Sequence, residues 1–440
     1  MAAQDSPKFA AVLSGGGARG AYEVGVLYYI RTQLPKEIAQ APLFSIYSGT
    51  SVGAINSVFL AATAHDPIYQ GGQLRKVWAE LSDAEIYFAD VQALAGFLVK
   101  SGFFMATNFF KLTDMLQTRA NPTVSPFRFK SVLDTTPFVY FLRRNIPWSQ
   151  IHRNIERGLV DAVTVSATHI MSGQLALFVE KHPEVTYRSG FDVPIYCTLT
   201  PKHVLGSAAL PLIFPIVRIN RQFYGDGSLR QNTPMSPAIH LGANRLLVVS
   251  AHFDETKRPS PGTSKDAYEA EPTTGDVLGL LMDSLFSDRL QKDLEQMRRI
   301  NSLIQDVENV YGMDAMKAVS ARRRNKREDS FDVSYESRKI TPLVITPSRD
   351  IGEIASDHFW RLLARRENLT PMQKFFAKVL ENTPEGHNDL VSYLLFDREY
   401  LEALIQLGFE DARAQHEELI RFFSNRPTGA RSSRRARKPS

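Results

Sequence analysis

Along the first 250 positions, short continuous apolar runs alternate with glycine-rich turns and helix-spaced stretches. Phe9 to Leu13 is apolar throughout and too short for a helix, which predicts a buried strand. It enters a glycine loop and then a helix from about Ala21 to Gln33. Phe44 to Tyr47 predicts a second strand, followed by another tight turn and a helix of small residues, Ala54 to Ala64. Later apolar segments are Val163 to Ala167, Leu246 to Ala251 and Leu343 to Thr346. This order of strand, turn and helix predicts an α/β fold. Residues 255–275 turn rich in Pro, Ser, Thr and Lys, the mark of a mobile loop or a boundary. Beyond it, Leu281, Leu285, Leu290, Leu294 and Met297 recur near one face of a predicted helix from Val277 to about Val307. A further helical region is predicted from about Asp389 to Phe423. No internal repeat recurs at a fixed period.

Composition narrows the class. With 440 residues, 43% hydrophobic and 22% charged, the chain can build a large core, and wholesale disorder is excluded. No run approaches the ~18 apolar residues needed to span a bilayer; Val204 to Val217 is short and broken by Pro211 and Pro215. A single cysteine, Cys197, excludes an internal disulfide or a cysteine-built metal site. The first residues lack the charged start and apolar stretch of a secretory signal, so the expected location is cytoplasmic. The formal net charge is +5, and Arg431, Arg434, Arg435, Arg437 and Lys438 account for all of it. That tail, and the cluster Arg322, Arg323, Arg324, Lys326 and Arg327, read as solvated charge, and no nucleic-acid partner is expected.

Two glycine turns carry candidate chemistry. Ser14-Gly15-Gly16-Gly17-Ala18-Arg19-Gly20 follows one strand and opens a helix. Gly15, Gly17 and Gly20 fit the spacing of a dinucleotide loop, but no acid ends a second strand about 20 residues on; Glu37 precedes an Ala/Pro-rich loop. Converging amides at a helix start suit any anion, either a phosphate or a transient oxyanion. Arg19 adds a positive charge and modestly favours the oxyanion. Gly49-Thr50-Ser51-Val52-Gly53 matches the G-x-S-x-G turn that exposes a nucleophilic hydroxyl at a strand end. A hydroxyl needs a base. The late histidines His387 and His416 occupy helical polar stretches, and His203 and His240 read as surface or satisfied buried residues, so the histidine case is thin. Downstream, Tyr224-Gly225-Asp226-Gly227-Ser228 reads by itself as a turn.

Taken in order, Gly15 to Gly20, then Gly49-Thr50-Ser51-Val52-Gly53, then Asp226-Gly227 resemble the motifs of the patatin-like phospholipases. The stretch His203 to Pro215, and Ala167-Thr168 with Ser172-Gly173, add to the resemblance. It covers about residues 9–250, and Ser392 to Asp397 looks like an extension found in some bacterial members. The resemblance implies a three-layer α/β/α sandwich with a mainly parallel central sheet. Together with the composition, it gives an expected division into a catalytic core at 9–250, a mobile loop at 251–275, a helix-rich extension packed on the core at 276–423 and a disordered basic tail at 424–440. It implies a serine lipid acyl hydrolase, a carboxylic ester hydrolase needing no cofactor and no metal. Ser51 would be the nucleophile and Asp226 the general base. Gly15, Gly16 and Gly17 would supply oxyanion-binding amides with Arg19 in support, while Gly20, Gly49, Gly53 and Gly227 would shape the turns. The family usually has Gly or Ala where this chain has Ser228, which puts the packing of that turn in question.

The implied substrates are phospholipids or other acyl esters, met at a peripheral membrane or micelle surface. Phe97, Phe103, Phe104, Phe109 and Phe110 concentrate in residues 96–110 and are expected to line or cap the acyl site. Two other readings stand beside this one. A Rossmann-type nucleotide-binding oxidoreductase would use the first glycine loop but leaves Ser51 and Asp226 without a role. A lipid-binding scaffold without turnover would keep the fold alone.

Overall fold

A computed structural model describes residues 7–89, 133–188, 193–211, 213–253, 290–312, 338–365, 369–379 and 389–424, with a few isolated positions between. The phenylalanines of 96–110, the loop at 255–275, both basic clusters, His387, Leu281 and Leu285 lie outside the described residues.

Strand β1 (Phe9–Leu13) is buried on both faces and stands at the centre of the sheet. Phe9, Ala11 and Leu13 point into one core while Ala10 and Val12 point into the other, as a period of two requires. A 3₁₀ turn at Gly17–Arg19 leads into helix α1 (Gly20–Gln33). Strand β2 (Ile46–Thr50) begins later than Phe44 and runs through the first G-x-S-x-G residues. Helix α2 (Val52–Ala62) starts immediately after Ser51, and α3 (Pro67–Ala79) follows with Asp66 capping its N-terminus.

A small antiparallel pair, β3 (Phe88–Ala89) and β4 (Leu133–Asp134), stands apart from the main sheet. Helix α4 (Thr136–Asn145) leads on to β5 (Ala162–His169), β6 (Leu175–Lys181) and β7 (Pro194–Tyr196). Helix α5 (Pro201–Ser207) precedes the hairpin of β8 (Val217–Ile219) and β9 (Gln222–Asp226). Helix α6 (Met235–His240) and strand β10 (Arg245–Val249) complete this half.

The later half adds α7 (Leu290–Tyr311), β11 (Thr341–Ile345) and α8 (Ile351–Ala364). The helical region expected at 389–423 is three helices: α9 (Asp389–Leu394), α10 (Arg398–Ala414) and α11 (His416–Ser424). The side chain of Asp397 accepts from the amides of Glu399 and Tyr400, which starts α10 afresh instead of continuing α9.

The sheet runs β11-β10-β1-β2-β5-β6-β7, parallel from β11 through β5, with β6 antiparallel to β5. Helices α1, α2, α8, α10 and α11 contribute to the core on one face, and α6 and α7 to the core on the other. The mainly parallel three-layer arrangement expected from the sequence is the observed one, and the extension contributes a strand to it as well as helices.

The extension is inserted tightly against α1. A Cβ on Gly408 would lie 2.0 Å from Tyr22 O, and one on Gly25 would lie 1.9 Å from Ile405 O, so α1 and α10 touch backbone to backbone. The Tyr22 hydroxyl donates to Asp411 across the same seam at 3.0 Å. Gly408→Val is therefore expected to cost about 1–3 kcal/mol or more, read as a lower thermal midpoint, while Gln406→Ala on the exposed side of α10 should change stability by less than ~0.5 kcal/mol.

Candidate active site

Strand pairing brings the two distant motifs together. β2 occupies one edge of β5 as far as the pair Thr50–Ser166. β9 takes over at the next residue, pairing Asp226 with Ala167, while β6 fills the opposite edge. The chain therefore leaves β2 at Ser51 where β9 ends at Asp226. The Ser51 hydroxyl donates to Asp226 Oδ2 at 2.8 Å. Both residues are buried.

Ser51 has φ 52° and ψ −120°, a strained conformation for a residue with a side chain. Its surroundings hold it there. The Ser51 amide donates to Ser207 Oγ at 2.8 Å, and the Ser207 hydroxyl donates to Ser166 O at 2.5 Å. The reverse turn requires small neighbours: a Cβ on Gly53 would lie 2.3 Å from Leu13 O, and one on Gly49 would strike Gly53 O at 2.2 Å. The α2 N-terminus begins one residue beyond Ser51, adding partial positive charge there.

Asp226 is held from both sides. Its Oδ1 accepts from the Ser228 amide at 2.8 Å, and its carbonyl accepts from Thr168 Oγ1 at 2.7 Å. Burial pushes its carboxyl up to about 6, while the hydrogen bonds from Ser228 and Ser51 act in the opposite direction. Gly227 packs on Ser166 O so closely that no Cβ would fit.

The first glycine loop runs alongside. Gly15 donates its amide to Asn232 O at 3.2 Å, so that N–H, expected among the oxyanion donors, is already bonded to the segment that follows Asp226. The Gly16 and Gly17 amides have no acceptor among the described residues. Ser228, the residue in question beside Asp226, is buried against Gly15: a Cβ there would lie 2.2 Å from Ser228 Oγ. Gly17 has φ 56°, and a Cβ on it would lie 2.2 Å from Tyr393 O. Gly20 abuts Val52 and Trp78 in the same way.

Arg19 is buried and faces the extension. Its Nε donates to Ser392 Oγ at 2.7 Å, and its guanidinium lies 3.9 Å from the centre of the Tyr393 ring. α9 is thus bonded to the glycine loop. Tyr393, Leu394 and Phe396 line the same cavity as Gly17, Ser51 and Asp226, together with Val52, Ile55, Trp78, Phe138, Phe141, Leu210 and Phe214. The walls are almost wholly apolar. No histidine lines this cavity among the described residues. His203 instead caps α5 by accepting from the Thr200 amide, and burial lowers it to about 4. His240 contacts the Tyr187 hydroxyl, and His416 that of Tyr29. Among the described residues no group of three or more His, Cys, Asp or Glu could hold a metal ion.

Two buried carboxyls near the cavity had no signal in the sequence. Asp83 accepts from Tyr87, from Thr370 and from the Phe396 amide, which pins the segment following α9; burial pushes it up to about 6. Glu23 accepts from Asn56 Nδ2 at 2.8 Å, and Asn56 in turn accepts from the indole of Trp78 at 3.0 Å. Each follows an ordinary helix pattern, and only the tertiary fold reveals its partners.

The family described as patatin-like phospholipase matches residues 11–239, from β1 into α6 and across every motif of the site. This chain belongs to the patatin-like phospholipase family. Membership implies lipid acyl hydrolase activity. Among curated proteins none matches the sequence. One solved structure similar to this chain is VipD from Legionella pneumophila, at 14% identity and a TM-score of 0.31, over 94% of this chain and 67% of that one. Family membership leaves the nucleotide-binding oxidoreductase reading without support. No described helix is long and apolar enough to cross a membrane.

Burial raises Glu23 to about 8, so it is protonated in the fold at neutral pH. A carboxyl raised on folding contributes fully to stability below its unfolded value, and that contribution is lost as pH rises through the folded value. Glu23→Gln keeps the shape and the acceptor. The variant is expected to gain stability relative to the parent between pH 5 and 8, whereas Glu23→Ala should lose ~2 kcal/mol or more at every pH, both read by denaturant melts.

Proposed function

We propose that this protein is a serine lipid acyl hydrolase of the phospholipase or lysophospholipase type, with Ser51 as nucleophile and Asp226 as general base. The observation that carries the reading is the 2.8 Å hydrogen bond between the two side chains, buried at the end of an apolar cavity. Ser51 Oγ attacks the ester carbonyl carbon and its proton passes to Asp226 Oδ2. The carbonyl oxygen takes up the negative charge, and the Gly16 and Gly17 amides are the donors available to it, with Arg19 holding their loop in place. The C–O bond to the alcohol breaks, and the alcohol departs with the proton from Asp226. Water then gives a proton to Asp226 and attacks the acyl-enzyme, and Ser51 leaves with that proton.

An ordinary carboxylate at ~3.9 is a weak base for a hydroxyl. Burial narrows that gap, and a direct hydrogen bond removes the cost of bringing the two groups together. The cavity walls fit an acyl chain, each buried methylene of which contributes about 0.8 kcal/mol. Such substrates are held in membranes or micelles, so peripheral contact with a lipid surface is part of this reading. No cofactor enters the chemistry.

A fluorophosphonate probe is expected to label Ser51 and to leave Ser51→Ala unlabelled; persistent labelling in that variant would refute the assignment. Ser51→Ala and Asp226→Ala should each lower kcat/KM for a soluble ester by ~10³-fold or more. Asp226 must be ionised to accept a proton, and its carboxyl is raised to about 6. The rate should therefore fall about tenfold per pH unit below that value, where an unperturbed carboxylate would hold activity to about pH 4.

A further inference from the structure

The β8–β9 hairpin has two unlike faces. Val217, Ile219 and Tyr224 turn inward over Gly206 of α5. The outward positions are those where a soluble protein places polar side chains, yet Ile216 is 50% exposed and Phe223 39% exposed. Register puts Arg218 opposite Phe223, and therefore Ile216 opposite Gly225 on the same face. Ile170 from the β5–β6 turn lies over Gly225, where a Cβ would meet its Cδ1 at 2.8 Å, and the Ile170 amide donates to Phe223 O. The neighbouring Met171 is 80% exposed. These side chains form one patch, beginning a single residue from Asp226.

On the segments that build the patch, the exposed charge has one sign. Arg218, Arg221 and Arg230 are exposed, and Arg230 reaches the turn, its guanidinium 2.8 Å from a Cβ on Gly173. From Val193 to Ser250 the sole acid is Asp226, which is buried, and residues 169–175 contain none. Exposed apolar side chains beside three exposed arginines, on segments that carry no exposed acid, complement a surface that offers hydrocarbon beneath negative head groups.

We propose that the outer face of the β8–β9 hairpin and the β5–β6 turn form the surface by which this protein docks on an anionic lipid aggregate. The proposal rests on the lipid acyl hydrolase reading, which it extends from the reacting groups to the way they reach their substrate. Met171, Phe223 and Ile170 enter the interface while Arg218, Arg221 and Arg230 meet the head groups, and the strand end bearing Asp226 is brought to the membrane.

The test is flotation of Ser51→Ala protein with vesicles of phosphatidylcholine alone or mixed with phosphatidylglycerol. Binding should require the anionic lipid. Arg218→Gln with Arg221→Gln should weaken it about 30-fold, and Met171→Ser with Phe223→Ser about tenfold or more. Because Phe223 is partly buried, Met171→Ser alone, at the most exposed position, must also weaken flotation. With Ser51 restored, all these variants should hydrolyse a soluble short-chain ester at the parent rate. Flotation indifferent to these substitutions or to the anionic lipid, or a patch that instead holds two copies of the chain together in sedimentation, would overturn the proposal. If every form floats as expected and none hydrolyses any ester, the enzymatic reading fails while the docking surface stands.

Discussion

Along one edge of β5, the paired strand changes from β2 to β9 between Ser166 and Ala167, and the site depends on that exchange. Backbone ladders fix both strand ends to within a hydrogen-bond length, so the meeting of Ser51 and Asp226 requires no flexible loop. Two residues 175 apart in sequence are delivered by paired strands of the central sheet. The strain at Ser51 is tolerable for the same reason. Its amide is bonded to Ser207, whose hydroxyl is bonded to Ser166 of β5, the residue at which the exchange occurs. Strain of this kind persists only where neighbouring contacts over-determine the backbone, and here they do.

Three buried carboxyls surround this arrangement, and they differ in what they touch. Glu23 is tied to Asn56 and Ser14, and Asp83 to Tyr87, Thr370 and an amide. Burial raises all three from the ordinary carboxylate range. The partners of Glu23 and Asp83 link packed elements: Glu23 reaches Trp78 through Asn56, and Asp83 fixes the chain next to Phe396. Asp226 alone is bonded to a hydroxyl at the mouth of a strained turn within an apolar cavity. A raised basicity is thus common to the region. Geometry selects which carboxyl can serve the proposed proton transfer.

The strands β1, β2 and β10, both glycine turns and the helices after them were legible because each leaves a local mark: a continuous apolar run, or glycines where the chain must reverse. The short distance between Ser51 and Asp226 left no such mark. It entered the sequence reading only through the ordered resemblance of three motifs, since an aspartate between glycines is by itself a turn. The committed Gly15 amide was illegible because its acceptor, Asn232 O, is 217 positions away. Ser207, Asp83 and Glu23 were illegible for a related reason: a serine or acid on a helix looks solvated until the partner element is in place. The break between α9 and α10 was written in Asp397, whose capping role is a local signal within a region read as one helical stretch.

The family match ends at residue 239, but the cavity does not. Tyr393, Leu394 and Phe396 form part of its wall, and Ser392 receives the hydrogen bond of Arg19. The Gly17 turn leaves no room for a side chain because Tyr393 O occupies that space. α10 in turn lies backbone to backbone on α1, the helix that the glycine loop opens. Any displacement of the extension would therefore be transmitted to the two loop amides proposed to stabilise the oxyanion, through rigid contacts and not through a linker. In the proposed mechanism the reacting groups come from the matched segment, while the extension packs against the loop that faces them. Those two properties cannot be separated by cutting the chain between them, because the loop that would polarise the ester is packed on residues from beyond the cut.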